Sequence, residues 1–254
     1  MTIPPQLISR FATAKRVTVL TGAGVSAESG VPTFRDALTG LWSKFNPEEL
    51  ATPGAFFRNP NLVWAWYEWR RKLLKQVEPN PAHLALAQME RMFSEFNLIT
   101  QNVDGLHQRA GSRNVTELHG NIARSKCSEE GTIINSWPET GTEIPKCPQC
   151  GGLLRPDVVW FGEDLPVAEL KTAETAAINC DLFLSIGTSA EVYPAAGLPP
   201  LARQHQAILV EINPDVTTIT KQAHFVLAGP AGEIMPQLLA QIQQAISPQL
   251  PITD

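Results

Sequence analysis

Apolar and polar positions along this chain fall into short blocks that switch between two periods. Residues 15–21 (Lys-Arg-Val-Thr-Val-Leu-Thr) are a β-branched run that stops at Gly22-Ala23-Gly24. That pattern predicts a strand, a tight turn and then a helix. Residues 61–76 place Leu62, Trp66, Trp69 and Leu73 at steps of three and four, which is a helical stripe. Residues 81–93 do the same with Leu84, Leu86, Met89 and Met92, and a strand over 97–100 ends at Gln101-Asn102. Further on, the pattern predicts a helix over 167–179 and a strand over 181–186 that ends in Gly187-Thr188-Ser189. A helix over 194–204, a strand over 207–212 ending in Asn213-Pro214, a short strand over 225–228 and a helix over 231–246 follow. Residues 1–15 read as an amphipathic first helix. Residues 125–156 break the rhythm: they are rich in Gly, Pro and Thr and hold Cys127, Cys147 and Cys150, so they read as an inserted, loop-rich module.

Strands separated by helices predict an α/β fold, a Rossmann-like parallel sheet with helices on both faces. Residues 1–35, 78–120 and 157–254 are expected to form that nucleotide-binding domain. Residues 36–77, which are helical, and 121–156, which carry the cysteines, are expected to form a small inserted domain. In such sheets a ligand lies beyond the carboxyl ends of the strands. Small and amide-bearing residues recur there: Gly22-Ala23-Gly24, Gln101-Asn102, Gly187-Thr188-Ser189 and Asn213.

Composition narrows the classes. A hydrophobic share of 43% over 254 residues supplies a core and excludes general disorder. The net charge is −5 and no Lys/Arg block stands out, so neither DNA nor RNA is expected as a partner. No apolar run approaches the roughly 18 residues of a membrane span, and the start does not read as a signal peptide. The expected compartment is the cytoplasm. The pair Cys147-Pro148-Gln149-Cys150 has metal-type spacing and does not suggest a disulfide framework.

Gly22, Gly24 and Ala27 fit the G-x-G-x-x-A spacing that lets a backbone approach a pyrophosphate at a helix amino end. An ordinary strand-to-helix turn has the same look. The dehydrogenase version also needs an acidic residue about 20 positions on. Glu48 and Glu49 follow Asn46-Pro47 and read as a helix start instead, so a hydride-transferring layout is not completed.

Longer blocks are more specific. Residues 22–35 read Gly-Ala-Gly-Val-Ser-Ala-Glu-Ser-Gly-Val-Pro-Thr-Phe-Arg, followed by Gln101-Asn102-Val103-Asp104, Leu118-His119-Gly120 and Gly187-Thr188-Ser189. In this order, over residues 16–236, the chain resembles the sirtuin family of NAD-dependent protein-lysine deacylases. The resemblance implies that NAD is consumed as a co-substrate. The acyl-lysine carbonyl oxygen attacks the nicotinamide ribose, nicotinamide leaves, and a base activates a ribose hydroxyl that captures the acyl carbon. The products are lysine, nicotinamide and O-acyl-ADP-ribose. His119 is implied as that base, a role suited to an imidazole whose ordinary pKa is near 6.5. The other histidines, His83, His107, His205 and His224, are expected at the surface or at helix ends.

By the same resemblance Gly22, Ala23, Gly24, Ser26 and Ala27 belong to the cofactor turn. Asn102, also implied as catalytic, orients the ribose or a water, Asp104 accepts from the carboxamide, and Gln101 reaches a ribose hydroxyl. Phe34 and Arg35 lie on a loop over the cofactor. Gly187, Thr188 and Ser189 meet phosphate and ribose, and Asn213 and Ala231 lie near the adenosine, although Asn213 also fits a simple turn. An acyl-lysine peptide or protein is expected in extended form between two strands, Val159-Trp160-Phe161-Gly162-Glu163 on one side and Glu191-Val192-Tyr193 on the other.

Tyr67 and Arg70 are three apart on a predicted helix and share a face with aromatic neighbours Trp64 and Trp66 and with Leu74. A Tyr-x-x-Arg at this place marks the sirtuins that bind the carboxylate of malonyl-, succinyl- or glutaryl-lysine, and the small Ala37 would leave room for it. Alternatively Arg70, Arg71 and Lys72 form an exposed basic patch. Family members carry two Cys-x-x-Cys pairs around a structural zinc. Here Cys147 and Cys150 keep the second pair, whereas Cys127 is followed by Glu130, and Cys180 reads as core. Two readings stay open: Zn²⁺ held by Cys127, Cys147 and Cys150 with Glu130 or another nearby side chain as fourth ligand, or a module held by packing. Four functions compete with an acidic-acyl deacylase: a plain deacetylase, a mono-ADP-ribosyltransferase, a non-enzymatic NAD sensor, and, least supported, an oxidoreductase.

Overall fold

The structure is a computed structural model that describes residues 2–32, 45–137 and 143–246. A six-stranded parallel sheet runs in the order β3-β2-β1-β7-β8-β9. Its strands are β1 (Arg16–Thr21), β2 (Glu95–Thr100), β3 (Val115–Glu117), β7 (Leu182–Ile186), β8 (Ile208–Asn213) and β9 (Phe225–Ala228). The predicted α/β Rossmann-like fold is therefore present. β1 is central and buried from Val17 to Thr21, as a strand covered on both faces must be. On one face Leu7 and Phe11 of α1 (Pro5–Thr13), Leu86 and Met89 of α5 (Pro81–Met89), and Met235 and Leu238 of α9 (Ala231–Ile246) pack on it. On the other lie Ala173, Ala176 and Ala177 of α7 (Val167–Asn179) and Ala202 of α8 (Leu198–Gln204). At the amino edge the Asp181 carboxylate accepts from the backbone N–H groups of Lys15 and Arg16, both at 2.9 Å, and pins β1 to β7.

The carboxyl edge is where the chain order reverses, between β1 and β7. The turn after β1 differs from expectation: residues Ala23–Ser29 form a 3₁₀ helix, closed by Gly30 at φ 78°. The reason lies in the neighbouring turn. A Cβ on Gly22 would sit 2.7 Å from Thr188 Cβ, and one on Gly24 would sit 2.8 Å from Gly187 Cα. Gly187 adopts φ 59°, and a Cβ on it would collide with the Val25 amide nitrogen. These glycines are demanded first by backbone meeting backbone within the protein.

The cysteine segment is loop-rich, as expected, and is held by strands that the pattern does not predict: β4 (Gly120–Cys127), β5 (Ile133–Ile134) and β6 (Leu154–Val158) make an antiparallel sheet in the order β5-β4-β6. β4 begins directly after His119 and reads Gly-Asn-Ile-Ala-Arg-Ser-Lys-Cys, too polar to stand out as a strand. Beside this sheet lie α2 (Pro47–Leu50), α3 (Pro53–Arg58, capped by Thr52) and α4 (Pro60–Leu74, capped by Asn59). Glu48 and Glu49 do open a helix. α4 buries Val63, Trp66, Tyr67 and Leu74 against Ile122, Val158 and Trp160. Two helices are shorter than predicted. α5 stops at Met89, and residues Ala195–Gly197 form a separate 3₁₀ turn before α8.

If backbone contact at the seam governs this edge, Gly187→Ala should cost more than strain at φ alone. Expected is a loss of about 2 kcal/mol or more in urea unfolding, against about 1 kcal/mol for Gly30→Ala. A Cβ on Gly30, also at positive φ, meets nothing within 4 Å. Equal losses at the two positions would argue against the seam.

Candidate active site

A cleft of about 930 Å³ opens over the carboxyl ends of the strands. It is lined by Gly22, Ala23, Gly24 and Ala27 from the first turn, Gln101 and Asn102 after β2, and Gly187, Thr188 and Ser189 after β7. Asn213 after β8 and Ala231 at the start of α9 close its far end. A second cavity of about 350 Å³ holds Ser26, Tyr67, Arg70, Asp104, Trp160, Phe161, Gly162, Glu163, Val192 and Tyr193. The two share Ala23, Gln101, Asn102, His119 and Val192. His119 thus stands at the junction. Phe34, Arg35 and Ala37 lie outside the described residues.

His119 Nδ1 lies 2.9 Å from the Gln101 carbonyl oxygen. A carbonyl only accepts, so Nδ1 carries the proton and Nε2 keeps a lone pair. Burial holds the imidazole pKa below its ordinary value, with the Gln101 carbonyl working in the opposite sense. The Asn102 amide nitrogen donates to Gly22 O at 3.0 Å and to Ser26 Oγ at 3.1 Å, so what it offers a ligand is its carbonyl oxygen. Ser26 is 1% exposed and donates to Asp104 Oδ2 at 2.8 Å, which places it beneath the cavity as a support for Asp104. Gln101 Nε2 donates to Thr188 Oγ1 at 2.9 Å, and Asn213 Nδ2 donates to Thr188 O at 3.0 Å. Asn213 Oδ1 also accepts from Asp215 N at 3.2 Å, so it does form a turn while lining the cleft.

Several sequence expectations need correction. His83 and His107 are at helix ends, in the first turn of α5 and in the short helix Leu106–Arg109, but they are not at the surface: they are 0% and 1% exposed, with ring centroids 4.8 Å apart. Desolvation pushes their pKa values down to about 4 and about 3, so both stay neutral. His83 Nε2 approaches Ser26 Oγ at 3.4 Å, beside Asp104, and His107 Nε2 approaches Thr21 Oγ1 at 3.0 Å. The Asn80-Pro81-Ala82-His83 stretch was a legible sign, since His83 completes a capping box with Asn80 at the start of α5. His205 does sit at a helix end.

The basic patch is excluded. Arg71 is 7% exposed and donates to Ile122 O, Arg124 O, Ser125 Oγ and Glu68 Oε1. Its guanidinium also lies 5.0 Å from the Trp64 ring and 4.6 Å from the Trp137 ring, so Trp64 faces the cysteine module and not Tyr67. Arg70 turns the other way, over the Trp66 ring at 5.0 Å. Neither segment expected to flank a peptide is a strand. The amides of Val159 and Phe161 already donate to His119 O and Ala51 O, and that of Trp160 to Glu163 Oε2. Glu163 is further engaged by Arg155, at 2.5 and 2.9 Å, so its carboxylate braces this loop. Phe161, Val192 and Tyr193 remain exposed along the rim.

The sequence profile of the Sir2 family matches residues 22–194. The chain belongs to the Sir2 family. An "NAD-dependent protein deacylase 1" of Pseudomonas aeruginosa is 50% identical over 241 residues, covering 92% of this chain and 96% of the relative. A solved Sir2 homolog in complex with NAD superposes with a TM-score of 0.90 at 46% identity, covering 97% of this chain and 96% of that one. A Sir2–p53 peptide–NAD⁺ structure gives a TM-score of 0.82 at 30% identity, covering 95% and 98%. Among the described residues no helix of this Sir2 chain is long and apolar enough to cross a membrane.

The cysteine module of this Sir2 chain forms a four-residue donor cluster. Ligand atoms of Cys127, Glu130, Cys147 and Cys150 all lie within 4.8 Å of one another, and Cys127 Sγ is 3.4 Å from Cys150 Sγ. Tetrahedral zinc with bonds of about 2.3 Å to sulfur sets its sulfurs about 3.7 Å apart, so the donor set fits. The two halves are built alike. Gly131 N donates to Cys127 O at 3.0 Å and Gly151 N to Cys147 O at 2.9 Å, with the two glycines at φ 70° and 78°. Glu130 therefore occupies the place in the first turn that Cys150 occupies in the second. Cys180 is buried away from this cluster, as core. Purified protein is expected to hold about one equivalent of zinc, which Glu130→Cys retains and Glu130→Ala weakens. Less than about a tenth of an equivalent in elemental analysis would exclude a stable site.

Proposed function

We propose that this Sir2 protein is an NAD-dependent protein-lysine deacylase that takes acyl groups ending in a carboxylate alongside acetyl. The observation that carries the reading is that Tyr67 and Arg70 line the same cavity as Asn102, Asp104 and His119. A guanidinium fork and a phenol at the closed end of an acyl channel match a carboxylate. The wider cleft, with its small-residue turns, is read as the NAD site, with the adenosine toward Asn213 and Ala231. The nicotinamide end lies toward Asn102 and Asp104, where the cavities meet.

On this reading the peptide lies along the exposed rim of Phe161, Val192 and Tyr193, through the carbonyls and the Gly162 amide, because the neighbouring donors are already used. His119 Nε2 takes the proton from a ribose hydroxyl, and the Gln101 carbonyl holds the imidazole in the competent tautomer. Asn102 presents an acceptor oxygen to the ribose or a water. NAD supplies the glycosidic bond that breaks. Zinc, where bound by Cys127, Cys147, Cys150 and Glu130, has a structural role distant from this chemistry. We also read residues 36–77 and 121–156 as a separate small domain. The buried cluster shared by α3, α4, β4 and β6 supports this, although β4 and β6 cross the expected boundaries by a residue or more.

Arg70→Met is expected to lower kcat/KM for a succinyl-lysine peptide about tenfold to a hundredfold while deacetylation persists. Parallel loss of both activities, or of neither, would remove the acyl-carboxylate assignment. Mass analysis of products should show nicotinamide and O-acyl-ADP-ribose; NADH would restore the oxidoreductase reading and ADP-ribosylated protein the transferase.

The pH dependence has a definite sign. The base must be neutral, and burial lowers the pKa of His119. The acidic limb of kcat/KM should therefore lie below the ordinary imidazole value of about 6.5, with activity lost as pH falls through it. A limb above that value would contradict the assignment.

A further inference from the structure

Trp160 follows β6 and packs between the acyl cavity and the small-domain core. Its indole Nε1 lies 3.0 Å from the Tyr67 hydroxyl oxygen. The two side chains are 2% and 1% exposed, so water does not compete. An indole N–H can only donate, and the phenol oxygen must therefore accept. The phenol is left with one proton, which cannot point back along that bond. Desolvation pushes the Tyr67 pKa up to about 12, so the proton stays in place at any working pH.

The indole has little freedom to abandon this contact. Its own backbone N–H donates to Glu163 Oε2 at 2.8 Å. The Arg155 guanidinium, held by Glu163 and by Val158 O at 3.1 Å, stacks on its ring at 3.3 Å from the centroid. The Phe56 ring covers it at 5.5 Å. The Trp160 ring is gripped, and its N–H is aimed before any substrate arrives.

We propose that Trp160 is a specificity-determining positioning residue whose indole N–H fixes the Tyr67 oxygen as an acceptor and thereby turns the Tyr67 O–H toward the acyl end of the substrate. The proposal rests on the acyl-carboxylate reading above. A dicarboxylic acyl-lysine presents an anionic oxygen to that proton and gains a charge-assisted bond without first reorienting the phenol. An acetyl group presents no such acceptor. Arg155 and Glu163 then act on selectivity only through Trp160.

The test is a double-mutant cycle on the ratio of kcat/KM for succinyl- and acetyl-lysine versions of one peptide. Trp160→Phe keeps an aromatic ring and removes the donor. It should lower the ratio about fivefold, through KM for the succinyl peptide, and lower it no further in the Tyr67→Phe background. An equal drop in both backgrounds would mean that the indole acts by packing and would overturn the proposal. So would an unchanged ratio in Trp160→Phe when Tyr67→Phe lowers it. If neither Tyr67→Phe nor Arg70→Met moves the ratio, the acyl-carboxylate reading itself has failed, and the proposal goes with it. A second measurement needs no substitution of Trp160. Ultraviolet resonance Raman difference spectra between the unaltered protein and Tyr67→Phe should isolate the Trp160 N–H band. Succinyl peptide should shift that band toward stronger hydrogen bonding, because a phenol that donates to an anion becomes a better acceptor. Acetyl peptide should leave it in place, and an identical response to both peptides would overturn the proposal.

Discussion

Backbone presses on backbone where the turns after β1 and β7 meet, and the arrangement of the cleft follows from that contact. With no Cβ at Gly22, Gly24 or Gly187, the two turns close to distances that side chains would forbid. Gly22 N donates to Ile186 O at 3.0 Å and Gly24 N to Gly187 O at 2.8 Å, so the sheet's hydrogen bonding continues past the strand ends. Each turn then becomes an anchor. Gly22 O receives the Asn102 amide, and Thr188 receives Gln101 and Asn213. Gln101 in turn offers the carbonyl that orients His119. Side chains from four separate strand ends are thus referenced to one rigid seam, as a constellation needing sub-ångström placement requires.

Helix α4 connects the second cavity to the cysteine module by using adjacent arginines for opposite purposes. Arg71 is buried with carbonyl, hydroxyl and carboxylate partners and against two neighbouring tryptophans, Trp64 and Trp137. Those carbonyls belong to β4, the strand that runs from the residue after His119 to the first metal-type cysteine. Arg70, one position earlier, faces the cavity with Tyr67. A guanidinium satisfied on every side fixes the helix rotation, and that rotation decides what its neighbour can reach. The structural arginine therefore sets the aim of the proposed substrate-binding one.

Much of this was readable in the chain, and the misses have physical causes. The parallel sheet followed from strand and helix periods, and the cleft from the small or amide-bearing residues after Thr21, Thr100 and Ile186. The burial of polar residues left no such mark. The helix-start position of His83 is legible from its capping box, but its burial and that of His107 are not, because burial of a neutral imidazole depends on tertiary neighbours that periodicity does not encode. β4 was missed because Asn121, Arg124 and Lys126 interrupt its alternation, and they are tolerated because ion pairs such as Arg124 with Glu117 and Asp157 satisfy them. Arg70 and Arg71 are adjacent and chemically identical in sequence; only the helix's position against β4 separates them. The bracing of Glu163 by Arg155 was not legible for the same reason, since Arg155 lies on β6 across a turn.

The buried histidines also bear on the charge balance of the proposed reaction. Departure of nicotinamide leaves positive charge at the ribose, and any cation beneath it would oppose that step. Desolvation keeps His83 and His107 neutral, and the proximity of His83 lowers His107 further, while Asp104 works in the opposite sense on His83. Ser26 and Asp104 sit directly against this neutral pair, and hydrogen bonds from Ser26 and Leu106 N position the carboxylate, with the Arg70 guanidinium acting on it from within the same cavity. Neutral imidazoles beneath Asp104 add no positive charge of their own, so nothing on that floor offsets the carboxylate's pull on a developing cation. Burial in this protein therefore does electrostatic work as well as packing, by removing charges that the chemistry could not accommodate.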